Sequence, residues 1–292
     1  MSNTTFNDLL EAGAHFGHLK RKWNPAMAPY IFGEKNGIHI IDLNKTVAKL
    51  DSAAAALKQI ARAGKKVLFV ATKKQAKDIV AEKVKPTSMP YVTERWPGGM
   101  LTNFATIRKA IRKMASIDKM STDGTFDNIS KKEKLQISRQ RAKLETQLGS
   151  IADLTRLPAA LFIVDVHTEH IAVAEAKRLN IPTFAIVDTN SDPTLVDFPI
   201  PANDDASTSI AVVIGLITKA IEEGLAERKV DKEIAAAAEE KDENTDKEKI
   251  REEAEAMAEA VKAKIGVSDE AGSVTVKRIR KKIDNKIERP KR

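Results

Sequence analysis

Histidines and acidic residues are the side chains whose types and spacing could do chemistry in this sequence. His15 and His18 stand three residues apart, and so do His167 and His170, with Glu169 beside the second pair. The metalloprotease motifs H-E-x-x-H and H-x-x-E-H both need one more residue between the histidines. We therefore predict polar packing or helix capping for these histidines and assign no catalytic residue.

A surface metal site is the alternative that these residues leave open. His18, Asp188, Asp204 and Asp205 carry the nitrogen and oxygen donors that zinc accepts. The chain has no cysteine, which excludes thiolate ligands and cysteine nucleophiles. The prediction is no cofactor, with a surface zinc at His18 as the alternative.

Phosphate-binding and nucleophile motifs are missing from the sequence. Neither G-x-G-x-x-G nor G-x-x-x-x-G-K-[ST] occurs, and the segment after the first strong strand candidate, ATKK at 71–74, has no glycine. A G-x-S-x-G nucleophile motif does not occur either. We predict that the chain is not an enzyme. The alternative is an enzyme that acts on nucleotides or phosphoesters, and detection of a bound cofactor or of substrate turnover would support it.

Cations dominate the segment 104–149, which holds eleven Lys or Arg and five acidic residues. Such an excess suits contact with phosphates. The alternative is that these cations form an ordinary solvated helix face. The candidate RNA-binding residues here are Arg108, Lys109, Arg112, Lys113, Lys131, Lys132, Arg139 and Arg141.

Two short segments combine cations with an aromatic ring, which can stack on an unpaired base. They are Lys20, Arg21, Lys22 and Trp23, and Arg95 and Trp96. For Trp96 the alternative is that its ring fills the gap between a sheet and a helical hairpin.

Short apolar runs and amphipathic segments alternate through most of the chain. Strands are predicted at 66–71, 158–165 and 182–188, with weaker candidates at 38–43 and 89–93. Helices are predicted around 47–61, at 168–179 and at 207–225. Gly64 would end the first helix, and Thr168 would cap the second, whose apolar face is Ile171, Ala174 and Leu179. This alternation predicts a parallel sheet with helices on both faces.

The segment 103–151 contains no strand candidate and has two helical apolar seams, the second including Leu135, with turn residues between 121 and 130. It predicts a helical hairpin inserted in the sheet domain. The predicted domains are therefore 1–103 with 152–226, the hairpin 104–151, and a C-terminal extension 227–292.

Composition limits the partners. The 292 residues carry a net charge of +8, which favours a polyanion. Residues 227–272 form an acidic arm of net charge −6, for which a solvated arm, helical or irregular, is predicted. Residues 273–292 form a basic tail of +7, which we predict to be disordered or ordered by an anionic partner. The longest apolar stretch is eight residues, at 210–217, and no signal peptide is visible. We expect a cytoplasmic protein without a membrane partner.

Three passages carry a resemblance to a known family. They are LLEAGAHFGH at 9–18 with the KRKWNP that follows at 20–25, ERWPGGMLTNF at 94–104, and VDTNSDP at 187–193 with DFPIPANDDA at 197–206. Together they closely resemble the bacterial small-subunit ribosomal protein S2 family, in the same order, over residues 1 to about 226.

The resemblance implies a flavodoxin-like parallel sheet with helices on both faces, an inserted coiled-coil hairpin and no catalysis. It implies a structural protein of the small ribosomal subunit that binds small-subunit rRNA near the junction of head and body. It further implies neighbouring small-subunit proteins as partners, including docking of the mRNA-binding protein S1, and no small-molecule substrate. A scaffold that binds only proteins, through its C-terminal arm, is the third class of function that we consider.

Overall fold

A computed structural model of the chain describes residues 6–123 and 130–234. The helices are α1 (Phe6–Glu11), α2 (Leu43–Arg62), α3 (Lys74–Val84), α4 (Phe104–Thr122), α5 (Lys131–Leu148), α6 (His170–Arg178) and α7 (207–234). The strands are β1 (Phe16–Leu19), β2 (Ile31–Lys35), β3 (Ile38–Ile41), β4 (Val67–Val70), β5 (Tyr91–Val92), β6 (Ala160–Val164), β7 (Thr183–Val187) and β8 (Phe198–Pro201).

The main sheet has five parallel strands in the order β5-β4-β6-β7-β8. The predicted strands at 66–71, 158–165 and 182–188 are confirmed as β4, β6 and β7, and the candidate at 89–93 as the short edge strand β5. Every residue of β4, β6 and β7 is buried, as expected for strands that helices cover on both faces. The predicted flavodoxin-like α/β fold is confirmed.

Alternate side chains of the central strands enter two separate apolar cores, because successive residues of a strand point to opposite faces. Phe69 and Phe162, whose ring centroids lie 5.3 Å apart, pack in the core formed with α2, α3 and α7. Leu68 and Leu161 pack in the other core, with α6 and the base of α4 and α5. The helical hairpin is therefore anchored on one face of the sheet.

The candidate strand at 38–43 is found as β3, but it does not join the parallel sheet. It is the central strand of a separate antiparallel sheet with the order β1-β3-β2. The sequence also did not reveal β8, because Pro199 and Pro201 argue against a strand. These prolines are tolerated because β8 is an edge strand, and among the described strands it pairs with β7 alone.

Helix α2 confirms the prediction around 47–61 and extends it at its start. The Asp42 side chain caps it by accepting a hydrogen bond from the Asn44 backbone N at 3.0 Å. Gly64 follows its end with a φ of +73°, a conformation that costs glycine little.

Helix α6 corrects two details of the prediction. It begins at His170, so Thr168 is not its cap; the Thr168 hydroxyl instead donates to Asp165 Oδ2 at 2.7 Å. The predicted apolar face is exposed, with Ile171 47% exposed, while Ala172 is fully buried. Ala172, Val173, Glu175 and Ala176 form the buried face of this helix, and Ile171 and Leu179 lie outside it.

The two predicted hairpin helices are confirmed as α4 and α5, and residues 124–129 between them lie outside the description. Met114 and Ile117 of α4 and Leu148 of α5 are buried along the seam. Leu135, which the sequence placed on the seam, is 51% exposed. The packing is therefore tight near the sheet and sparse toward the far end of α5.

The predicted helix at 207–225 is confirmed within α7, and Lys58 of α2 binds Glu223 and Glu227 of α7 at 3.2 and 2.8 Å. The described residues up to Arg228 form one compact unit. The predicted domain boundaries stay predictions, and most of the acidic arm and all of the basic tail lie outside the described residues. In the part of the chain that is described, no helix is long and apolar enough to cross a membrane.

Candidate nucleic-acid interface

Four exposed cations form one side of α4, and we call them the α4 cation face. They are Arg108, Lys109, Arg112 and Lys113. Arg108 and Arg112 are four residues apart, and so are Lys109 and Lys113, so within each pair the side chains lie about one helical turn apart on the same side of the helix. Like charges at this spacing destabilise a helix by a few tenths of a kcal/mol per pair. An anionic partner would offset that cost.

The predicted cations of α5 fall into two groups. Lys131, Lys132 and Arg139 are exposed. Arg141 instead binds Asp118 of α4 through Nε and Glu145 through Nη1, the second at 2.5 Å. The hydrogen bond to Asp118 raises the pKa of Arg141. Because two carboxylates already balance its charge, Arg141 serves the packing of α4 on α5.

A buried carboxylate, Glu175 of α6, holds the loop from which the hairpin leaves the sheet. Its Oε1 accepts hydrogen bonds from Trp96 Nε1 at 3.2 Å and Gly99 N at 2.8 Å. Its Oε2 accepts from Leu101 N at 2.9 Å, and from Thr102 N at 3.1 Å and Thr102 Oγ1 at 3.2 Å. One side chain therefore fixes four residues that precede α4.

The surroundings of Glu175 favour its ionised form. Burial by itself would raise the pKa of this carboxyl group, but the hydrogen bonds from Thr102, Leu101, Gly99 and Trp96 hold it below the ordinary value. The carboxylate is thus charged at neutral pH and accepts from all of its donors.

The two predicted residues of the 95–96 segment lie in different surroundings. Trp96 is only 6% exposed, so its ring fills the space between sheet and hairpin and offers no open face to a base. Arg95 beside it is exposed. Among these two residues, only Arg95 is placed to meet a nucleic acid.

The N-terminal basic and aromatic residues lie on the surface beside the small sheet. Lys20, Arg21 and Lys22 form a 3-10 turn and are exposed. Lys20 binds Glu34 of β2 at 2.7 Å, whereas the 37% exposed ring of Trp23 lies 5.1 Å from the ring of His39. Trp23 keeps an accessible part for stacking.

The small sheet also carries an apolar surface, which we call the outer sheet face. Phe16 and Leu19 pair with Ile40 and Ile38 across the strands, and both are about half exposed, at 50% and 51%. His39, on the other side of β3, is buried. An exposed apolar surface of this kind suits contact with protein rather than with phosphates.

Acidic residues meet at the carboxyl ends of the parallel strands. Lys73, which follows β4, places its Nζ 2.8 Å from Asp204 Oδ1, 2.6 Å from Asp205 Oδ1 and 3.6 Å from Asp165 Oδ2. Burial, together with the neighbouring Asp188 and Asp165, raises the pKa of Asp204 to about 7. Burial by itself would lower the pKa of Lys73, but hydrogen bonds and charge interactions with the aspartates outweigh it, so the pKa is raised above its ordinary value and the ammonium stays charged.

The four metal candidates of the sequence are brought together at this cluster. His18 lies 3.0 Å from Asp188 and 3.3 Å from Asp205, and the hydrogen bond to Asp188 raises its pKa. Ligand atoms of His18, Asp188 and Asp204 lie within 4.8 Å of one another. Among the described residues, the buried Asp204 Oδ2 has no hydrogen-bond partner.

Sequence reasoning missed Glu175 and Lys73. The signal for Glu175 is an acid beside Ala172 and Ala176, at the spacing of a buried helix face, and it was lost because Ile171 and Leu179 suggested a different face. For Lys73 no local signal exists, because its partners lie 92 or more residues away along the chain.

Most of the chain is similar to proteins of one known family. The family model described as ribosomal protein S2 matches residues 9–224. The small ribosomal subunit protein uS2 of Bacteroides thetaiotaomicron is 66% identical over 270 residues, which cover 92% of this chain and 94% of that protein. The proteins of the same name from Parabacteroides distasonis and Flavobacterium johnsoniae are 70% and 67% identical over 240 and 232 residues, covering 82% and 80% of this chain and 86% and 91% of theirs.

Proposed function

This chain belongs to the ribosomal protein S2 family, and from that premise we propose that it is a structural constituent of the small ribosomal subunit that binds small-subunit rRNA. Its place is then on the ribosome, in the cytoplasm. The relatives are named as ribosomal proteins and not as enzymes, in agreement with the missing catalytic motifs. Attachment near the junction of head and body follows from the resemblance alone.

The α4 cation face is the single observation that carries the RNA contact. Its four side chains are exposed on a helix that projects from the sheet, and the phosphates of an RNA would offset the small repulsion between like charges at helical spacing. The proposed contact set extends it with Lys131, Lys132 and Arg139 on α5, with Arg95, and with Lys20, Arg21, Lys22 and Trp23. Arg141 and Trp96 contribute to this interface by holding the hairpin in place.

Co-sedimentation tests this proposal. The purified chain is mixed with small subunits that lack it and centrifuged at rising salt. We expect binding that weakens steeply with salt, as counterion release requires. A chain that never sediments with the subunits would exclude the proposal, and salt-independent binding would favour the scaffold that contacts only proteins.

For the protein partner, we propose that the outer sheet face docks S1. Replacing Phe16 and Leu19 together with serine is expected to lower S1 occupancy on small subunits about tenfold, since loss of a buried interface anchor costs one to a few kcal/mol. S1 is quantified by immunoblot on purified subunits that retain the variant.

The matched control for this surface is Leu157→Ser, because Leu157 is 44% exposed and lies outside the outer sheet face. It should leave S1 unchanged. Normal S1 occupancy on subunits that carry the double variant would contradict the docking site.

We also propose that the cluster of His18, Asp188 and Asp204 holds a divalent cation, with zinc as the candidate. The cluster offers one imidazole nitrogen and two carboxylate oxygens, which are donor types that zinc takes. With the His18 imidazole neutral, as a zinc ligand must be, the ammonium of Lys73 faces four aspartates, so negative charge remains for a metal ion to balance.

Metal analysis after mild dialysis tests this site. We expect about one zinc per chain in the wild type and loss of it in His18→Ala, while His170→Ala, an exposed histidine elsewhere, keeps it. A wild-type protein that retains no zinc would overturn the proposal.

A further inference from the structure

A cavity of about 530 Å³ lies at the carboxyl edge of the main sheet. Strand β5 follows β4 in the chain and lies on one side of it, toward one edge of the sheet. Strand β6 lies on the other side of β4 and is followed by β7 and β8 toward the opposite edge, so the direction of strand addition reverses between β4 and β6. Open parallel sheets bind ligands at such a point, outside the carboxyl ends of the strands. The cavity is lined by Thr72 after β4, Arg95 after β5 and Thr168 after β6. We call it the switch-point cavity.

The inner wall of the switch-point cavity is acidic and firmly held. Glu169 is 3% exposed and lines the cavity, and its Oε1 accepts a hydrogen bond from Thr72 N at 2.9 Å. Glu94, which is exposed, adds a second carboxyl group nearer the surface and binds Lys77 at 3.0 Å. Apolar surface comes from Ile171, which is 47% exposed. The wall thus offers hydrogen-bond acceptors next to an apolar patch.

Two cations lie on the rim of the cavity. Arg95 and Lys143 both line it and are exposed, the first from the loop after β5 and the second from α5 of the hairpin. Within residues 6–123 and 130–234, neither of them forms an ion pair. A ligand that bridges them would touch both the sheet and the hairpin.

Two simple ligands fit this distribution poorly. A free inorganic anion inside would face the buried carboxyl group of Glu169, and a metal cation would face Arg95 and Lys143 at the entrance. A ligand that carries N–H donors on a flat ring at one end and a phosphate at the other satisfies both parts. The volume lies within the roughly 300–1,000 Å³ typical of pockets for small ligands.

We propose that the switch-point cavity binds one unpaired nucleotide, with its base against Ile171 and the acidic wall and its phosphate between Arg95 and Lys143. Carboxylates accept hydrogen bonds from exocyclic amino groups, as they do from cytosine N4, so bases with an amino group bind better than uracil. This inference rests on the proposed function for the source of the nucleotide, an RNA strand that continues along the hairpin. A free mononucleotide has the same chemistry.

The test measures binding of fluorescein-labelled single-stranded RNA octamers to the full chain by anisotropy. The probes are oligocytidylate, oligouridylate and an abasic octamer of equal charge, with cytidine monophosphate as competitor. We expect oligocytidylate to bind on the order of tenfold more tightly than the abasic strand, in the range of base contacts to single strands. Displacement by cytidine monophosphate would show that the free nucleotide suffices, and no displacement that the strand is needed.

Gly98→Leu is the blocking variant, because Gly98 lines the cavity and a Cβ there meets nothing within 4 Å. Gly33→Leu is its matched control, since Gly33 is equally open but lies in β2. We expect Gly98→Leu to remove the preference for cytidine over abasic strands, because the leucine side chain takes the place of the base. Gly33→Leu should keep the preference.

Equal affinity of the wild type for cytidine and abasic strands would overturn the cavity proposal, and so would a preference that survives Gly98→Leu. Failure of the proposed function is distinguishable, because it appears as loss of co-sedimentation with small subunits. A chain that sediments with subunits but shows no base preference keeps the proposed function and loses only the cavity.

Discussion

Replacing the α4 cation face (Arg108, Lys109, Arg112 and Lys113) with glutamate is expected to lower the affinity for small subunits by about 100- to 1,000-fold at 0.15 M salt. Each phosphate contact contributes roughly 0.7–0.9 to the slope of log affinity against log salt. Four lost contacts therefore lower the slope of log affinity against log salt by about three, which at 0.15 M salt corresponds to a loss of affinity of about two to three powers of ten. The measurement is co-sedimentation across a salt series.

A charge-matched control separates this effect from net charge. Lys49, Lys65, Lys74 and Lys85 are exposed cations of the sheet domain outside the proposed contact set, and their replacement with glutamate gives the same change of eight charges. We expect that variant to keep most of the slope. Equal losses in both variants would show that overall charge, not the α4 cation face, drives association.

Replacing Glu175 with alanine is expected to lower the free energy of unfolding by about 3–5 kcal/mol, because it leaves the buried indole N–H of Trp96 and three backbone donors without their acceptor. For a chain of this size that corresponds to a fall in Tm of about 10 °C. Glu175→Gln keeps the shape but turns one acceptor into a donor, so an intermediate loss is expected. Calorimetry measures both.

The loss should be local as well as global. Amide hydrogen exchange at residues 99–102 is expected to rise in the Glu175 variants, whereas Glu82→Gln, at an exposed acid of α3, should change neither exchange nor Tm. If exchange in this loop is unaltered in Glu175→Ala, the carboxylate does not hold the root of the hairpin.

The pH dependence of the Glu175 variants has a definite sign. Because the folded pKa of Glu175 lies below its ordinary value of 4.5, its contribution to stability is complete above that value and is lost as the pH falls through the folded pKa. The difference in stability between wild type and Glu175→Gln should therefore shrink in acid and stay constant near neutrality.

Local patterns predicted the elements whose surroundings are uniform. Strands β4, β6 and β7 are continuous apolar runs because helices cover both faces, and the strandless stretch between 103 and 151 has two helical apolar seams, which predicted its two helices. The edge strand β8 was not predicted, because Pro199 and Pro201 weaken the local strand pattern. They are tolerated because β8 lies at the edge of the sheet, beside β7. The helix α6 was found, but alanines hid which of its faces is buried.

The candidate interface was predictable in its charge but not in its geometry. The sequence by itself determined the excess of cations on the hairpin, the presence of basic and aromatic residues near the N-terminus, and the missing catalytic motifs. Only the tertiary structure decided that Trp96 is buried against Glu175, that Asp118 and Glu145 neutralise Arg141, and that Lys73 joins three aspartates. Charge and periodicity are properties of neighbouring residues, whereas exposure and pairing depend on side chains that the fold brings together from distant positions, 131 apart for Lys73 and Asp204.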